Sequence, residues 1–267
     1  MSLVSPRIPT HFNFKSPTEA AMCINVFARH GEYLHIFDAI EEAVRIFPAE
    51  SSAFLLLAYQ YYHELENKSR YELYQARTFD FNIQPDDKVL DIGSGHLPFP
   101  LATHLADLAV QDGSVGRNNM PFRYVDGKPI YECNVESLPF ADKEFDFVYC
   151  SHVLEHVEHP DQACRKLIRV AKRGYIETPT KGKDIFLVTA SASHHLNYVE
   201  LRNSVLTFFR YEPWEIAGLG YDILLQMHTK PQTDREKIFS ALLYLFPRYI
   251  NTMLLWENEF SFNTSFF

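Results

Sequence analysis

Two short stretches hold residue types whose spacing could do chemistry. In "YCSHVLEHVEHP", His152, Glu155 and His156 spell H-x-x-E-H. On a helix, His152 and His156 would share one face and could grip one metal ion, the spacing a zinc hydrolase could use. In "DDKVLDIGSGHLPFP", Asp91 lies near the end of an apolar run, and Gly93 and Gly95 follow two apart. Such glycines let the backbone turn tightly and come close to a ligand. A carboxylate there suits a cationic ligand better than a pyrophosphate.

The elements that must carry these residues are readable from periodicity. From Pro17 to about Arg77 the spacing is helical, with four segments broken near Gly31, Pro48 and Ser69. "GEYLHIFDAIEEAVRIFP" resembles half of a tetratricopeptide repeat, with Gly31 and Tyr33 at the turn, Ala43 in the packing position and Pro48 at the end. The next pair fits poorly, and one and a half repeats make no solenoid. Residues 1–84 are therefore expected to form an N-terminal helical cap, with a protein contact through it kept open.

After Pro85 the texture changes to short apolar runs ended by polar or small residues. Strands are expected at "KVLDI", "ATHLADL", "PIYECNV", "FDFVYCS" and "RGYIETP", with an amphipathic helix at "DQACRKLIRVA". "HHLNYVELRNSVLTFF" alternates like a hairpin around Arg202–Asn203, residues 221–227 read as a strand, the tail is helical to Phe246, and "LLWENEFSF" reads as a last strand. The expected fold is α/β over residues 85–267, a doubly wound, mostly parallel Rossmann-like sheet with an antiparallel edge hairpin.

Four stretches in order, the D-x-G-x-G of Asp91 to Gly95, "ECNVESLPF", "FDFVYCSHVLEHV" and "RVAKRGYIETP", resemble the motifs of class I S-adenosylmethionine (SAM) dependent methyltransferases of the type 11 kind. SAM carries an ammonium and a sulfonium, matching the cationic ligand expected at Asp91. The resemblance implies that Gly93 and Gly95 form the floor under the methionine moiety and that Asp91 holds its amino group. Asp107, with Asp112 as substitute, would take the ribose hydroxyls. Asn134 and Val135 would lie beside the adenine, and Ser151 and His152 would line the floor. Two departures stand out. Pro98 occupies the place of a third glycine, and Asp107 follows Gly95 too closely for a full crossover helix. A very short helix or a proline-shaped loop is expected there.

Methyl transfer is an in-line displacement that needs alignment and dryness, plus a base if the acceptor is a hydroxyl. His152 is the expected base. Glu177, His194 and His195 are the expected acceptor residues, and no metal is expected. Pro160 breaks any helix within about two turns of His152, which weakens the zinc hydrolase alternative. A nicotinamide oxidoreductase would need the complete glycine triad. A non-catalytic scaffold that binds a partner through the cap is the other alternative. The net charge of -9 speaks against nucleic acid, and no apolar run is long enough to span a membrane. The four cysteines form no C-x-x-C and read as reduced thiols of a cytoplasmic protein. A small-molecule or sugar-type acceptor is expected.

Overall fold

The computed structural model describes residues 7, 9–65, 68–111, 120–187, 194–216 and 227–265. The chain divides into two compact units, Ser5–Phe81 with Asp222–Pro247, and Asn82–Tyr221 with Arg248–Phe267. The helical unit is therefore discontinuous in sequence.

In the helical unit, α1 (Pro17–His30) starts at Ser16, whose hydroxyl accepts from the Glu19 amide, and ends at Gly31 with φ 69°. Only a residue without Cβ takes that left-handed turn at little cost. α2 (Tyr33–Ile46) buries Ile36, Phe37, Ile40 and Ala43 at helical spacing. Phe37 stacks on Tyr62 of α3 (Ser51–Leu65), with ring centroids 4.4 Å apart. A helix far along the chain, Asp234–Leu245, also packs on α3 and brings Tyr244 to 5.1 Å from Tyr62. Thr233 and Glu236 close a reciprocal cap at its start. The fourth helical segment is a π-turn, Tyr71–Gln75, running into Ala76–Thr78.

The second unit is built on a six-stranded sheet. Its strands are β1 (Val89–Ile92), β2 (His104–Asp107), β3 (Ile130–Glu132), β4 (Phe145–Ser151), β5 (Ala171–Pro179) and β8 (Asn251–Glu257), in the order β3-β2-β1-β4-β5-β8. The first five run parallel and β8 pairs antiparallel to β5. The hairpin β6 (Asn197–Arg202) and β7 (Val205–Arg210) does not join that sheet. With β9 (Ser261–Ser265) it makes a second sheet, so the reversed edge of the main sheet is β8 alone. Asn203 and Ser204 turn the hairpin with φ 50° and 64°, the two positive values of a tight mirror-image turn. The tail holds two strands, β8 and β9, where one was expected; the break falls at Asn258, with φ 65°.

One helix covers a crossover in regular fashion. Pro160–Val170 turns Ala163, Cys164, Leu167 and Val170 into the core against Phe145, Val148 and Cys150. Between β1 and β2 the described chain holds no helix. Pro98 and Pro100 remove two amide donors in that stretch and push the residues before them into extended backbone. Phe99 instead lies flat on Tyr149, with centroids 4.2 Å apart. The strand expected over residues 221–227 falls almost wholly outside the described residues. Among the described residues, no helix is long and apolar enough to cross a membrane.

Candidate active site

The strand order reverses direction between β1 and β4, so the crevice at their carboxyl ends is where an open α/β sheet binds ligands. The register sets the residues there. Asp91 lies opposite Tyr149, and Ser151 opposite Glu177.

On the β1–β2 side, the loop after Ile92 folds back on two carboxylates. Asp91, buried, accepts a hydrogen bond from the Phe99 amide at 2.7 Å. Asp107, also buried, accepts from the Gly95 amide at 2.9 Å and from the Ala109 amide at 3.3 Å. The Gly93 amide donates to the Ala106 carbonyl at 2.8 Å. Gly93 and Gly95 have φ of 71° and 50°. A Cβ on Gly93 would lie 2.3 Å from the Val153 Cγ2 methyl, so close approach as well as turning requires glycine there. The structure thus brings Asp91, Gly93, Gly95 and Asp107 together. Asp112 lies outside the described residues.

Asn134 follows β3, and its side-chain oxygen accepts from the Glu136 amide at 2.8 Å. That oxygen keeps a second lone pair. Val135 and Leu138 join one apolar cluster with Ile92 and Ala106. The buried Ser94 and Ser151 hydroxyls have no hydrogen-bond partner among the described residues. Buried hydroxyls are normally paired, so these two could meet polar atoms of a bound molecule.

The β4–β5 side has a different character. His152 follows β4 with φ 58°, a left-handed conformation that costs a β-carbon residue about 1–2 kcal/mol. Its Nδ1 lies 3.2 Å from Glu155 Oε1 and its Nε2 3.2 Å from Glu177 Oε1. Both carboxylates are buried, at 1% and 0% exposure. The Tyr175 hydroxyl donates to the other Glu177 oxygen. Burial pushes the Glu155 carboxyl up, but the bond to His152 and the charges of His152, His156 and His195 outweigh it and hold the group down at about 2. The His156 imidazole is pushed down, chiefly by burial and against the pull of Glu155. His195 is raised: burial works against it, but the partner Asp184 and the charge of Glu155 win.

The hairpin's approach places His195 beside this group. His195 Nδ1 lies at ion-pair distance, 3.0 Å, from Asp184 Oδ2, and that oxygen accepts a hydrogen bond from the Tyr211 hydroxyl at 3.0 Å. The His195 and His156 rings meet edge to face at 4.7 Å. His194 is exposed, and its backbone carbonyl lies 3.2 Å from His156 Nδ1. Sequence reasoning missed Asp184, Tyr175 and Tyr211 as partners in this network, because each reaches it from a separate element.

The H-x-x-E-H does not form the helical grip of a zinc hydrolase. Leu154–His156 is a single 3-10 turn, and His152 stands before it in left-handed backbone. Its two ring nitrogens face two carboxylates and not a shared opening with His156.

The strand order and the crevice define a class I, Rossmann-like fold. The methyltransferase domain family model matches residues 90–176, the stretch from β1 into β5. That stretch is a SAM-dependent methyltransferase domain, and S-adenosylmethionine is the cofactor the domain implies. The chain is 37% identical over 103 residues to the ubiquinone/menaquinone biosynthesis C-methyltransferase UbiE of Xanthomonas oryzae, covering 34% of this chain and 41% of the relative. It is 34% identical, with the same coverage, to UbiE of Stenotrophomonas maltophilia. The chain thus spans less than half the length of these curated relatives. A solved SAM-dependent methyltransferase from Methanosarcina mazei shares 18% identity, covering 45% of this chain and 69% of that one, with a TM-score of 0.30.

Proposed function

We propose that the protein transfers the methyl group of SAM to a hydroxyl of a small-molecule or sugar-type acceptor. The observation that carries this reading is His152, held in left-handed backbone at the end of β4 between two buried carboxylates.

The β1–β2 side holds the cofactor. Gly93 and Gly95 would let the backbone lie against the methionine moiety, Asp91 would take its ammonium, and Asp107 would take the ribose hydroxyls. Val135 would pack on the adenine, and the second lone pair of the Asn134 side-chain oxygen would accept from its amino group. Backbone at Ser151 and His152 completes the floor. The unpartnered hydroxyls of Ser94 and Ser151 support a polar ligand in this crevice.

When bound, SAM supplies a methyl on a positively charged sulfur. The β4–β5 side receives the acceptor. The incoming hydroxyl takes the place of Glu177 at His152 Nε2, Glu177 keeping the proton the two shared, and the hydroxyl proton passes to the freed nitrogen. The cofactor would supply the methyl carbon as electrophile and the sulfur as the group that leaves with the bond's electron pair. Glu155 keeps hold of Nδ1 and stabilises the imidazolium that forms, as a carboxylate does behind a catalytic histidine. Glu177 orients the acceptor, with His194 and His195 at the rim.

Calorimetric titration with S-adenosylhomocysteine tests the cofactor half. A micromolar constant is expected, weakened at least tenfold in Asp91→Ala; no binding by folded protein would overturn it. Transfer from methyl-labelled SAM to a panel of hydroxyl, amine and carbon acceptors tests the other half. Turnover of amines or carbon acids only, indifferent to His152, would overturn the hydroxyl assignment.

A further inference from the structure

One cluster holds ligand atoms that this scheme does not use. Glu155, His156 and His195 each offer one ligand atom, and these atoms lie within 4.8 Å of one another. The surroundings bias both rings toward a proton on Nδ1, one by a hydrogen bond and the other by a charge. His156 Nδ1 faces the His194 carbonyl, which only accepts, so Nδ1 carries the proton and Nε2 carries the lone pair. His195 Nδ1 lies 3.0 Å from Asp184 Oδ2, at ion-pair distance though outside hydrogen-bond geometry, and the neighbouring negative charge still favours the proton on Nδ1 and the lone pair on Nε2. An outer acceptor that fixes the tautomer of each histidine is the arrangement found behind metal-binding histidines. The third member adds an independent sign. Glu155 is 1% exposed, its Oε1 is used by His152, and its Oε2 is buried with no partner among the described residues. A carboxylate oxygen left dry and unpaired is costly, and it calls for a proton, a water or a cation.

We propose that Glu155, His156 and His195 bind one divalent transition ion of the zinc type, with Asp184 and the His194 carbonyl as the outer acceptors. The ligand set differs from the H-x-x-E-H reading, because His152 is outside it and His195 comes from the approach to the hairpin. Two imidazoles and a carboxylate suit a borderline ion better than magnesium or calcium, which prefer all-oxygen sites. Bonds of about 2.0–2.1 Å at tetrahedral angles put ligand atoms roughly 3.4 Å apart, so the cluster closes by on the order of an ångström when the ion enters. Three protein ligands leave a position open. An acceptor oxygen in that position would lose its proton more readily, a role that rests on the proposed function and is separate from binding itself.

Zinc titration of the tag-free full-length chain, against a chromophoric chelator and without SAM, tests the binding. The expected result is one site with a dissociation constant tighter than about 1 μM. It should weaken at least tenfold in His156→Gln and in His195→Ala, and about tenfold in Asp184→Asn. His63→Ala, in the helical unit, should leave it unchanged. X-ray absorption at the zinc edge should show nitrogen and oxygen neighbours with two imidazoles. If a variant fails to fold, histidine modification of the wild-type chain decides: zinc should protect His156 and His195 selectively. Weak binding by folded protein, unchanged affinity in the folded variants, or no such protection would overturn the site. Homocysteine-nucleoside binding would be unaffected by that failure, since it belongs to the other side of the crevice.

Discussion

The two sides of the crevice are built by different means. The β1–β2 side is made mostly of backbone amides held by Asp91 and Asp107, all within Asp91–Ala109. The β4–β5 side is made of side chains, His152, Glu155, His156, Glu177, Asp184 and His195, drawn from four separate segments. Backbone geometry with fixed dipoles suits a ligand that is the same in every turnover. A cluster of titratable groups suits a step in which a proton moves. The comparison teaches that the binding of cofactor and the chemistry on the acceptor should fail separately when each side is altered.

The largest separation is expected from His152→Asn. Asparagine tolerates the left-handed backbone that alanine would strain. Turnover of a hydroxyl acceptor should fall by about 100-fold or more, while the dissociation constant for S-adenosylhomocysteine stays within about threefold. Equal losses in both would break the division between the two sides.

Gly93→Ala should do the reverse. Its Cβ would meet the Val153 methyl at 2.3 Å in a φ of 71°, so a loss of about 2–3 kcal/mol in unfolding free energy is expected. A weaker hold on S-adenosylhomocysteine should accompany it. Denaturant melts and calorimetry on the same preparation would read both.

Glu155→Gln tests the electrostatics. The Glu155 carboxyl is held below its ordinary value, at about 2. A depressed acid contributes stability that is fully present above about pH 4.5 and fades as pH falls toward 2. Wild type should therefore lose about 2 kcal/mol more than the variant between pH 6 and pH 3. Parallel denaturant curves at those two values would show that the His152 contact does not hold the charge.

The smallest effect is expected from Asp107→Asn. The amide oxygen can still accept from Gly95, but the charge is gone. Affinity for S-adenosylhomocysteine should drop about tenfold, with turnover at saturating SAM nearly intact. A drop in turnover at saturation instead would place Asp107 on the acceptor side.

How much could be read without coordinates follows the same division. The glycine bend could be, because its residues are neighbours in sequence and its demand for positive φ falls on glycine. The missing crossover helix was visible in Pro98 and Pro100. The helix Asp234–Leu245 was recognisable as a helix but not as a neighbour of α3, since an apolar stripe does not name the surface it covers. For the same reason, β6 and β7 were readable as a hairpin, yet nothing in their alternation said they would pair with β9 and leave β8 at the edge of the main sheet. Gly174 gave no signal at all. It sits in β5 where a Cβ would lie 2.5 Å from the Val148 carbonyl and 2.9 Å from the Trp256 ring, a demand created entirely by the neighbouring strands.

The amino-acid sequence by itself determined the five parallel strands, the bend after Asp91 and the charge of the ligand they suit, because these depend on local periodicity, on φ preference and on the sign of one charge. The tertiary structure alone decided that Glu155 is buried against His152, that Glu177 faces the same ring, and that His195 arrives beside His156 with Asp184 behind it. Those contacts join residues far apart along the chain, and the order in which the strands pair is what sets them side by side.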